Sequence, residues 1–591
     1  MKMCYRQHFS RILLISIVSV FLKFIVFDLI WASSTTFSSF SFLQSYINKA
    51  AAALFLSFSV LVSQRKTVYA ATHFLLDLFL IANLMYFRTY YTSIPLESYM
   101  LFSNLSDFTA SVWSSLSWAD LYFPLSTLTG WYIAAKTQDL KTYTDKYSQP
   151  VSYFFSLSAM SLAAFLLYIS KGGILAEDEG LQNANYYTVR TPVFTLFGSL
   201  YCDYFRKETV LTPGIQSEID EWFARNSADG GMIGLEYRKS CIVILAESFE
   251  SWVLEREVEG KEITPYLNAL LKEDCTVYAP HVLTQVKGGR SIDAQLMLNT
   301  GLLPIENGAY SIKYPQTVYP SLVKAFNEKY GNGKSCVMTV DKDITWNQKM
   351  VAENFGYDSL IWKKDFILDE KIGSRNKLGD YSFLAQCAAK ISREEFWPSD
   401  VPVFIQCVTY SGHAPFKLHD KYKQISFSDS IPQPMNDYIT MANYTDRAIG
   451  HFIEKLRANG KLDDTMIIIT GDHEGLASDR KRLVNTSAGK GVVSPERYTP
   501  FIAVNAPLNF RYEKVIGQID LYPTIIDLLG LNSYEWKGLG HSILKADSPK
   551  FAVSPQQEIV GDTEEITEEE LIHAGKAWNI SDYLIRFNLL Q

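Results

Sequence analysis

The chain has 591 residues, 48% of them hydrophobic, and a net charge of −8. Such averages exclude a collagen-like repeat, an intrinsically disordered chain and a small disulfide scaffold. The charge is unevenly spread: residues 1–170 carry 18 of the 118 charged residues and are net +4, whereas the remainder is net −12. Two physically different polypeptides are therefore joined in one chain. The acidic part gives no basis for binding nucleic acid.

Five apolar stretches occupy the N-terminal third: Ile12–Trp31, Ile47–Val62, Val68–Phe87, Ser115–Ala135 and Val151–Ile169. Each is near the length a helix needs to cross a hydrocarbon core of about 30 Å. The first is too long for a cleavable signal peptide, lacks a small-residue cleavage site and is followed by further apolar stretches. Basic residues cluster before the first stretch (Lys2, Arg6, Arg11), between the second and third (Arg65, Lys66) and between the fourth and fifth (Lys136, Lys141, Lys146). The uncharged loop Ala32–Phe42 lies on the other side. By the positive-inside rule the expectation is a five-helix transmembrane bundle in the cell (inner) membrane. Everything after about Lys171 is then extracytoplasmic.

Lys23, Asp28, His73 and Asp77 fall inside these stretches. Ionisable groups are expensive in lipid. One reading gives them contact with a lipid head group or a buried pair. The other lets Lys23 and Asp28 snorkel to an interface and packs Asp77 inside the bundle. The discontinuous helices and inverted repeats of a transporter are not recognisable.

Residues 170–229 form a connector with an acidic patch (Glu177, Asp178, Glu179) and an aromatic-rich run, Val193–Phe205, expected as an amphipathic helix. From Glu236 onward strands and helices alternate. Ser240–Leu245, Val401–Thr409 and Thr465–Thr470 have the continuous apolar character of buried parallel strands. Asp437–Arg457 has helical periodicity. An α/β domain with a mostly parallel sheet follows, and ligands in such sheets bind at the carboxyl ends of strands.

Those ends are polar. Glu247 follows the first strand, Tyr410-Ser411-Gly412-His413 follows the second, and Gly471-Asp472-His473-Glu474-Gly475 follows the third. Carboxylates and imidazoles suit Mn²⁺, Mg²⁺ or Zn²⁺. Singly, each could be a loop cap; three such ends together point to one metal site. A fourth element is Gly288-Gly289-Arg290-Ser291-Ile292-Asp293-Ala294-Gln295. Its glycines permit close backbone approach, and Ser291 opens a helix running to about Leu298, where free N–H groups attract an anion. A metal can hold a serine as an alkoxide nucleophile; the plainer reading of Ser291 is an N-cap.

This set resembles the lipoteichoic acid synthase branch of the alkaline phosphatase/sulfatase superfamily, whose members carry five N-terminal transmembrane helices and an extracellular catalytic domain. The resemblance covers nearly the whole chain and is strongest over Cys241–Leu531. It implies one divalent ion, usually Mn²⁺, bound by Glu247, Ser291, Asp472 and His473. It also implies Ser291 as nucleophile, His413 as the phosphate-contacting or proton-donating histidine, and Trp346, Asn347 and Gln348 as a substrate-binding run, with Arg290 close by. Ser291 stands where the family has a threonine. Gln348 stands where it has an arginine that holds the glycerol-phosphate group, which opens the question of the head group. The formylglycine motif of conventional sulfatases is missing, because neither its Pro nor its Arg follows Ser291. Gln518–Thr524 matches a closing motif with a structural role.

The implied activity is transfer of a phosphoglycerol-type head group from a membrane phospholipid, through Ser291, to an envelope polymer, glycan or lipid acceptor. Alternatives are a phosphoethanolamine transferase, a sulfatase-like hydrolase of phosphodiesters or sulfate esters, and a non-catalytic envelope-binding membrane protein. The expected domains are 1–171 (five spans), 172–235 (connector), 236–545 (sulfatase-like catalytic domain) and 546–591 (C-terminal extension). The seven cysteines show no metal spacing, and one external disulfide is possible.

Overall fold

A computed structural model describes residues 2–33, 43–63, 66–90, 94, 116–136, 191–196, 210–225 and 238–590, less 307, 332, 344, 374–376, 399, 477–478, 546–547 and 565. The chain forms two compact units that part near residue 210.

The first unit contains helices α1 (Lys2–Ser33), α2 (Leu43–Ser63), α3 (Lys66–Tyr90) and α4 (Tyr122–Lys136). Among the described residues, two segments are long and apolar enough to cross a membrane, Ile12–Trp31 and Lys66–Arg88. The expected fourth span is shorter as a helix: α4 has 15 residues, preceded by a 3₁₀ turn at Trp118–Leu121 that Ser117 caps. The expected fifth span, Val151–Ile169, lies outside the described residues, as do the loop Ala32–Phe42 in nearly all its length and the acidic patch of the connector. Of the run Val193–Phe205 only the start is described, and 192–196 are helical.

The ionisable groups of this unit form buried pairs. Lys23 pairs with Asp77, and Asp77 also accepts from Thr127 Oγ1 at 2.5 Å. Lys49 pairs with Asp28 at 2.7 Å. Lys23 and Asp28 are 0% and 2% exposed, so neither snorkels. Each charge instead finds its partner on another helix, which offsets part of its desolvation cost. Arg88 grips Asp120 with two bonds of 2.7 and 2.6 Å, and His73 Nε2 meets Ser16 Oγ at 3.0 Å.

The second unit is built on a nine-stranded sheet. Its main strands are β1 (Ser240–Ala246), β2 (Val277–Leu283), β3 (Lys334–Thr339), β4 (Ser359–Ile361), β5 (Val403–Val408), β6 (Thr465–Gly471) and β7 (Tyr498–Val504). Across the sheet the order is Phe510–Arg511, β2, β7, β6, β1, β5, β3, β4, and Ile516–Gly517 also pairs with β2. The run from β6 to β4 is parallel, and β7 is antiparallel to both of its neighbours. The sheet is thus mixed and mostly parallel, as the apolar runs imply.

β1 sits in the middle and is buried along its whole length. Its side chains alternate between two cores: Cys241, Val243 and Leu245 enter one, and Ile242, Ile244 and Ala246 the other. That is the period-two alternation of a strand covered on both faces. Each buried Ile or Val contributes about 1.5–3 kcal/mol relative to exposure. The helices used below are α5 (Pro213–Arg225), α6 (Ser291–Thr300), α7 (Gln348–Phe355), α8 (Gln433–Ala458), α9 (Leu521–Leu528) and α10 (Glu568–Arg586). α6 and α9 cover the first core, and α8 covers the second. α6 stops at Gly301, whose φ of +65° supplies the left-handed cap.

α5 and α10, expected in the connector and the C-terminal extension, pack into this unit: Trp222 Nε1 donates to the His573 carbonyl at 3.0 Å, and the two rings stack. Cys241, Cys275, Cys336, Cys387 and Cys407 are free thiols.

Candidate active site

The parallel strands β1, β5 and β6 run in register, so their carboxyl ends converge. The residue after β1 is Glu247, and the residue after β6 is Asp472, whose N–H bonds to the Ala246 carbonyl at 3.1 Å. Glu247 N–H donates to Thr409 Oγ1 at 3.0 Å, which ties the end of β1 to the end of β5. Gly412 then passes directly against this turn: a Cβ there would lie 1.9 Å from the Glu247 carbonyl oxygen. Only glycine allows that approach, and it brings the adjacent His413 to the site.

Ligand atoms of Glu247, Asp472 and His473 lie within 4.8 Å of one another, and all three residues are buried. Ser291, the first residue of α6, joins them. Its Oγ is 3.3 Å from His473 Nε2 and 3.4 Å from Glu247 Oε2. His473 Nε2 is also 3.4 Å from Asp472 and 3.6 Å from Glu247. The other ring nitrogen, Nδ1, faces the Glu474 carbonyl at 3.0 Å. With Nδ1–H donating to that carbonyl, the Nε2 lone pair points at the carboxylates and the serine. Asp472 Oδ1 is held by the backbone N–H groups of Ser248 and His473 at 2.7 and 2.8 Å.

The electrostatics agree with a cation site. Burial, and then the charge of Asp472, push the Glu247 carboxyl well above the usual range. Burial and the neighbouring Arg290 push His473 down, which keeps its imidazole neutral. Two buried carboxyl groups, one of which resists ionisation where no cation is beside it, and a neutral imidazole next to a hydroxyl form a donor set that fits one divalent ion.

A second layer holds the first. Arg290 has a φ of +52°, a backbone state costing about 1–3 kcal/mol for a non-glycine residue. It is locked by an ion pair to Glu474 at 2.9 Å and by a bond from its other terminal nitrogen to the Glu474 carbonyl at 3.3 Å. Burial works against ionisation of Glu474, but Arg290, Arg497 and His473 outweigh it and hold its carboxyl well below the usual range. Asp293 accepts from the N–H groups of Lys287 and Gly289 at 2.9 and 3.0 Å, which shapes the turn before Ser291; burial pushes it to about 7.

The remaining sequence candidates divide. Trp346 and Asn347 both have φ of +53°, forming a sharp turn. Trp346 packs on the core and Asn347 Nδ2 donates to the Ser311 carbonyl at 2.8 Å. Gln348 is buried, and its amide pairs with Gln295 on α6. His413 stacks on Tyr410 with ring centroids 5.3 Å apart, and its Nδ1 faces the Ala414 carbonyl at 2.9 Å. That bond fixes Nδ1–H and turns Nε2 to the other side.

Sequence reasoning passed over three groups here. Asp341 follows β3 by two residues, and its charge reaches Glu247; the strand-end rule applied to one more strand finds it. Glu474 lies inside a motif already singled out. Lys377, from the hairpin Lys371–Ile372/Lys377–Leu378, pairs with Asp341 and has no sequence signal.

Two family models match: sulfatase over residues 239–531 and the lipoteichoic acid synthase N-terminal domain over residues 1–184. The chain is 25% identical over 515 residues to the lipoteichoic acid synthase-like protein YvgJ of Bacillus subtilis (strain 168), covering 83% of this chain and 80% of that one. It is 25% identical over 486 residues to the lipoteichoic acid synthase of Staphylococcus aureus (strain NCTC 8325 / PS 47), covering 79% and 73%. In fold it is similar to the crystal structure of the lipoteichoic acid synthase LtaP from Listeria monocytogenes, with a TM-score of 0.53 and 18% identity over 62% of this chain and 98% of that one.

Proposed function

Because the chain belongs to the lipoteichoic acid synthase-like branch of the alkaline phosphatase/sulfatase superfamily, we propose that it is a membrane-anchored transferase of phosphoglycerol-type head groups. The observation that carries this reading is the approach of Ser291 Oγ to His473 Nε2 (3.3 Å) and Glu247 (3.4 Å) at the start of α6. One ion, Mn²⁺ with Mg²⁺ or Zn²⁺ as alternatives, would be held by Glu247, Ser291, Asp472 and His473 and would favour the ionised hydroxyl.

Ser291 releases its proton to solvent, and its Oγ attacks the phosphorus of a phospholipid donor. The bond from phosphorus to the diacylglycerol oxygen breaks, and His413, entering as the imidazolium with Nδ1–H on the Ala414 carbonyl, gives its Nε2 proton to that oxygen. In the second step an acceptor hydroxyl on an envelope polymer, glycan or lipid gives its proton to His413 and attacks the same phosphorus. Ser291 Oγ leaves and regains a proton. Trp346 and Asn347 bound the substrate side of the site, and Arg290 and Gln348 hold the loop and helix that carry Ser291.

The anchor keeps the site beside its lipid. We read it as five spans within 1–171, entering from the cytoplasm, with the catalytic unit extracytoplasmic; the two long apolar segments Ile12–Trp31 and Lys66–Arg88 support this. The reading is tested with vesicles carrying labelled phosphatidylglycerol or phosphatidylethanolamine. The expected result is Mn²⁺-dependent release of diacylglycerol from phosphatidylglycerol, lost in Ser291→Ala and Glu247→Gln. Equal release by Ser291→Ala would refute it.

A further inference from the structure

A phosphodiester entering this site meets many carboxylates: Glu247, Asp472, Asp341 and Glu474 all act on one another or on the same imidazole. A side-chain cation beside the metal site would offset that charge on the non-bridging oxygens. The nearby basic groups are engaged elsewhere. Arg290 pairs with Glu474 at 2.9 Å, Lys287 pairs with Glu306 at 2.8 Å and lies over the Trp578 ring, and Arg480 pairs with the buried Glu250. Gln348 is neutral, and both ends of its amide are used by Gln295.

Lys377 is also paired and is no more exposed than Lys287; what sets it apart is the ring it lies on, which stacks on His413. Its side chain is 14% exposed, paired with Asp341, whose own side chain is 31% exposed. Its Nζ lies 4.0 Å from the centroid of the Tyr410 ring, and that ring stacks on His413. The ammonium is therefore one aromatic ring away from the histidine that meets the leaving oxygen. An ammonium has three N–H donors, so one bond to Asp341 leaves donors for a ligand. The Tyr410 face and the Asp341 carboxylate fix the flexible lysine stem before substrate arrives, which lowers the ordering cost of binding.

We propose that Lys377 is the cation that binds the phosphate of the substrate head group, with Asp341 and Tyr410 as its positioning residues. This rests on the phosphotransferase reading for its substrate, but it makes a claim about anion binding that stands apart from which lipid is used.

The test uses the full-length protein in detergent micelles, loaded with Mn²⁺ and titrated calorimetrically with inorganic phosphate. Lys377→Ala, and Lys377→Met, which keeps the stem on Tyr410, should each weaken phosphate binding by about tenfold or more, the size of one lost charge-assisted hydrogen bond. Lys377→Arg should stay within about threefold of the parent, since it keeps the charge. Mn²⁺ affinity and the melting temperature should hold in all three. Phosphate affinity within about twofold of the parent in both neutral variants would overturn the proposal, as would a parent protein that binds no phosphate. If phosphate binding falls as expected but no lipid donates a head group to the parent, Lys377 stands as an anion site and the lipid-donor reading fails instead.

Discussion

Gln348 and Gln295 hold each other amide to amide: Gln348 Nε2 donates to Gln295 Oε1 at 3.0 Å, and Gln295 Nε2 donates back at 3.1 Å. The pair joins α7 to the nucleophile helix α6. Gln406 on β5 also donates to Gln295, at 3.1 Å, and accepts from Asn299 at 2.9 Å. A buried amide network with matched donors and acceptors sets the position of α6 against the sheet, and removing one member leaves others unsatisfied. Gln348→Ala should therefore cost about 1–3 kcal/mol of stability and lower kcat more than it raises KM. Urea unfolding and steady-state kinetics check this. A raised KM with unchanged stability would mean that Gln348 touches substrate.

Glu250 performs the corresponding task for the loop after His473. Its Oε1 accepts from the N–H groups of Gly475 and Leu476 at 2.7 and 2.9 Å, and its Oε2 accepts from Trp252 Nε1 at 3.1 Å and pairs with Arg480. Glu250 is fully buried. Glu250→Ala leaves Arg480 buried opposite an empty space, and breaking such a pair costs about 3–5 kcal/mol. Where the variant still folds, Mn²⁺ affinity should drop by about 10–100-fold, as for other residues that orient metal ligands. Denaturant titration and metal titration measure the two effects.

Asp446 on α8 caps the short helix Pro265–Leu270 through the N–H groups of Tyr266 and Leu267, at 3.1 and 2.7 Å. Burial raises its carboxyl to about 7 despite those bonds. Between its unfolded value near 3.8 and about 7, the folded protein keeps a proton that the unfolded chain releases. Stability from this site is therefore present below that window and declines as pH rises through it. In Asp446→Asn the urea midpoint should fall less steeply from about pH 4 to about pH 7 than in the parent. An unchanged slope would exclude the site as a contributor.

In the first unit the Lys23–Asp77 pair is the testable element. Lys23→Met or Asp77→Leu alone strands a buried charge and should cost about 3–5 kcal/mol. The double variant should recover most of that, because two matched apolar groups replace two matched charges. Melting curves in micelles give the cycle; additive losses would mean that the two side chains act independently.

Much of the site was legible because it follows a rule about strands. Continuous apolar runs mark β1, β5 and β6; just beyond them lie Glu247 and the Asp472–His473 pair, of which Glu247 and His473 meet Ser291, and His413 in the turn after β5. The same rule was not carried to β3, so Asp341 was passed over. Lys377 was not legible at all: it comes from a two-residue strand with no periodicity, and its role depends on a ring from another loop. The buried pairs of the first unit show the converse limit. Lys23, Asp28 and Asp77 stood out as costly in an apolar stretch, but Lys49, the partner of Asp28, sits near the end of its own apolar stretch. Which charge meets which is set by how the helices pack, and hydropathy does not encode it.

On this mechanism Ser291 carries the transferred group. Full-length protein loaded with Mn²⁺ is incubated with phosphatidylglycerol vesicles without acceptor, quenched in acid, and its intact mass and peptide masses are measured. A glycerophosphate adduct is expected on the peptide containing Ser291, with no adduct in Ser291→Ala and no phosphoethanolamine adduct from phosphatidylethanolamine. Diacylglycerol release with an unmodified Ser291, or an adduct on another residue, would contradict it.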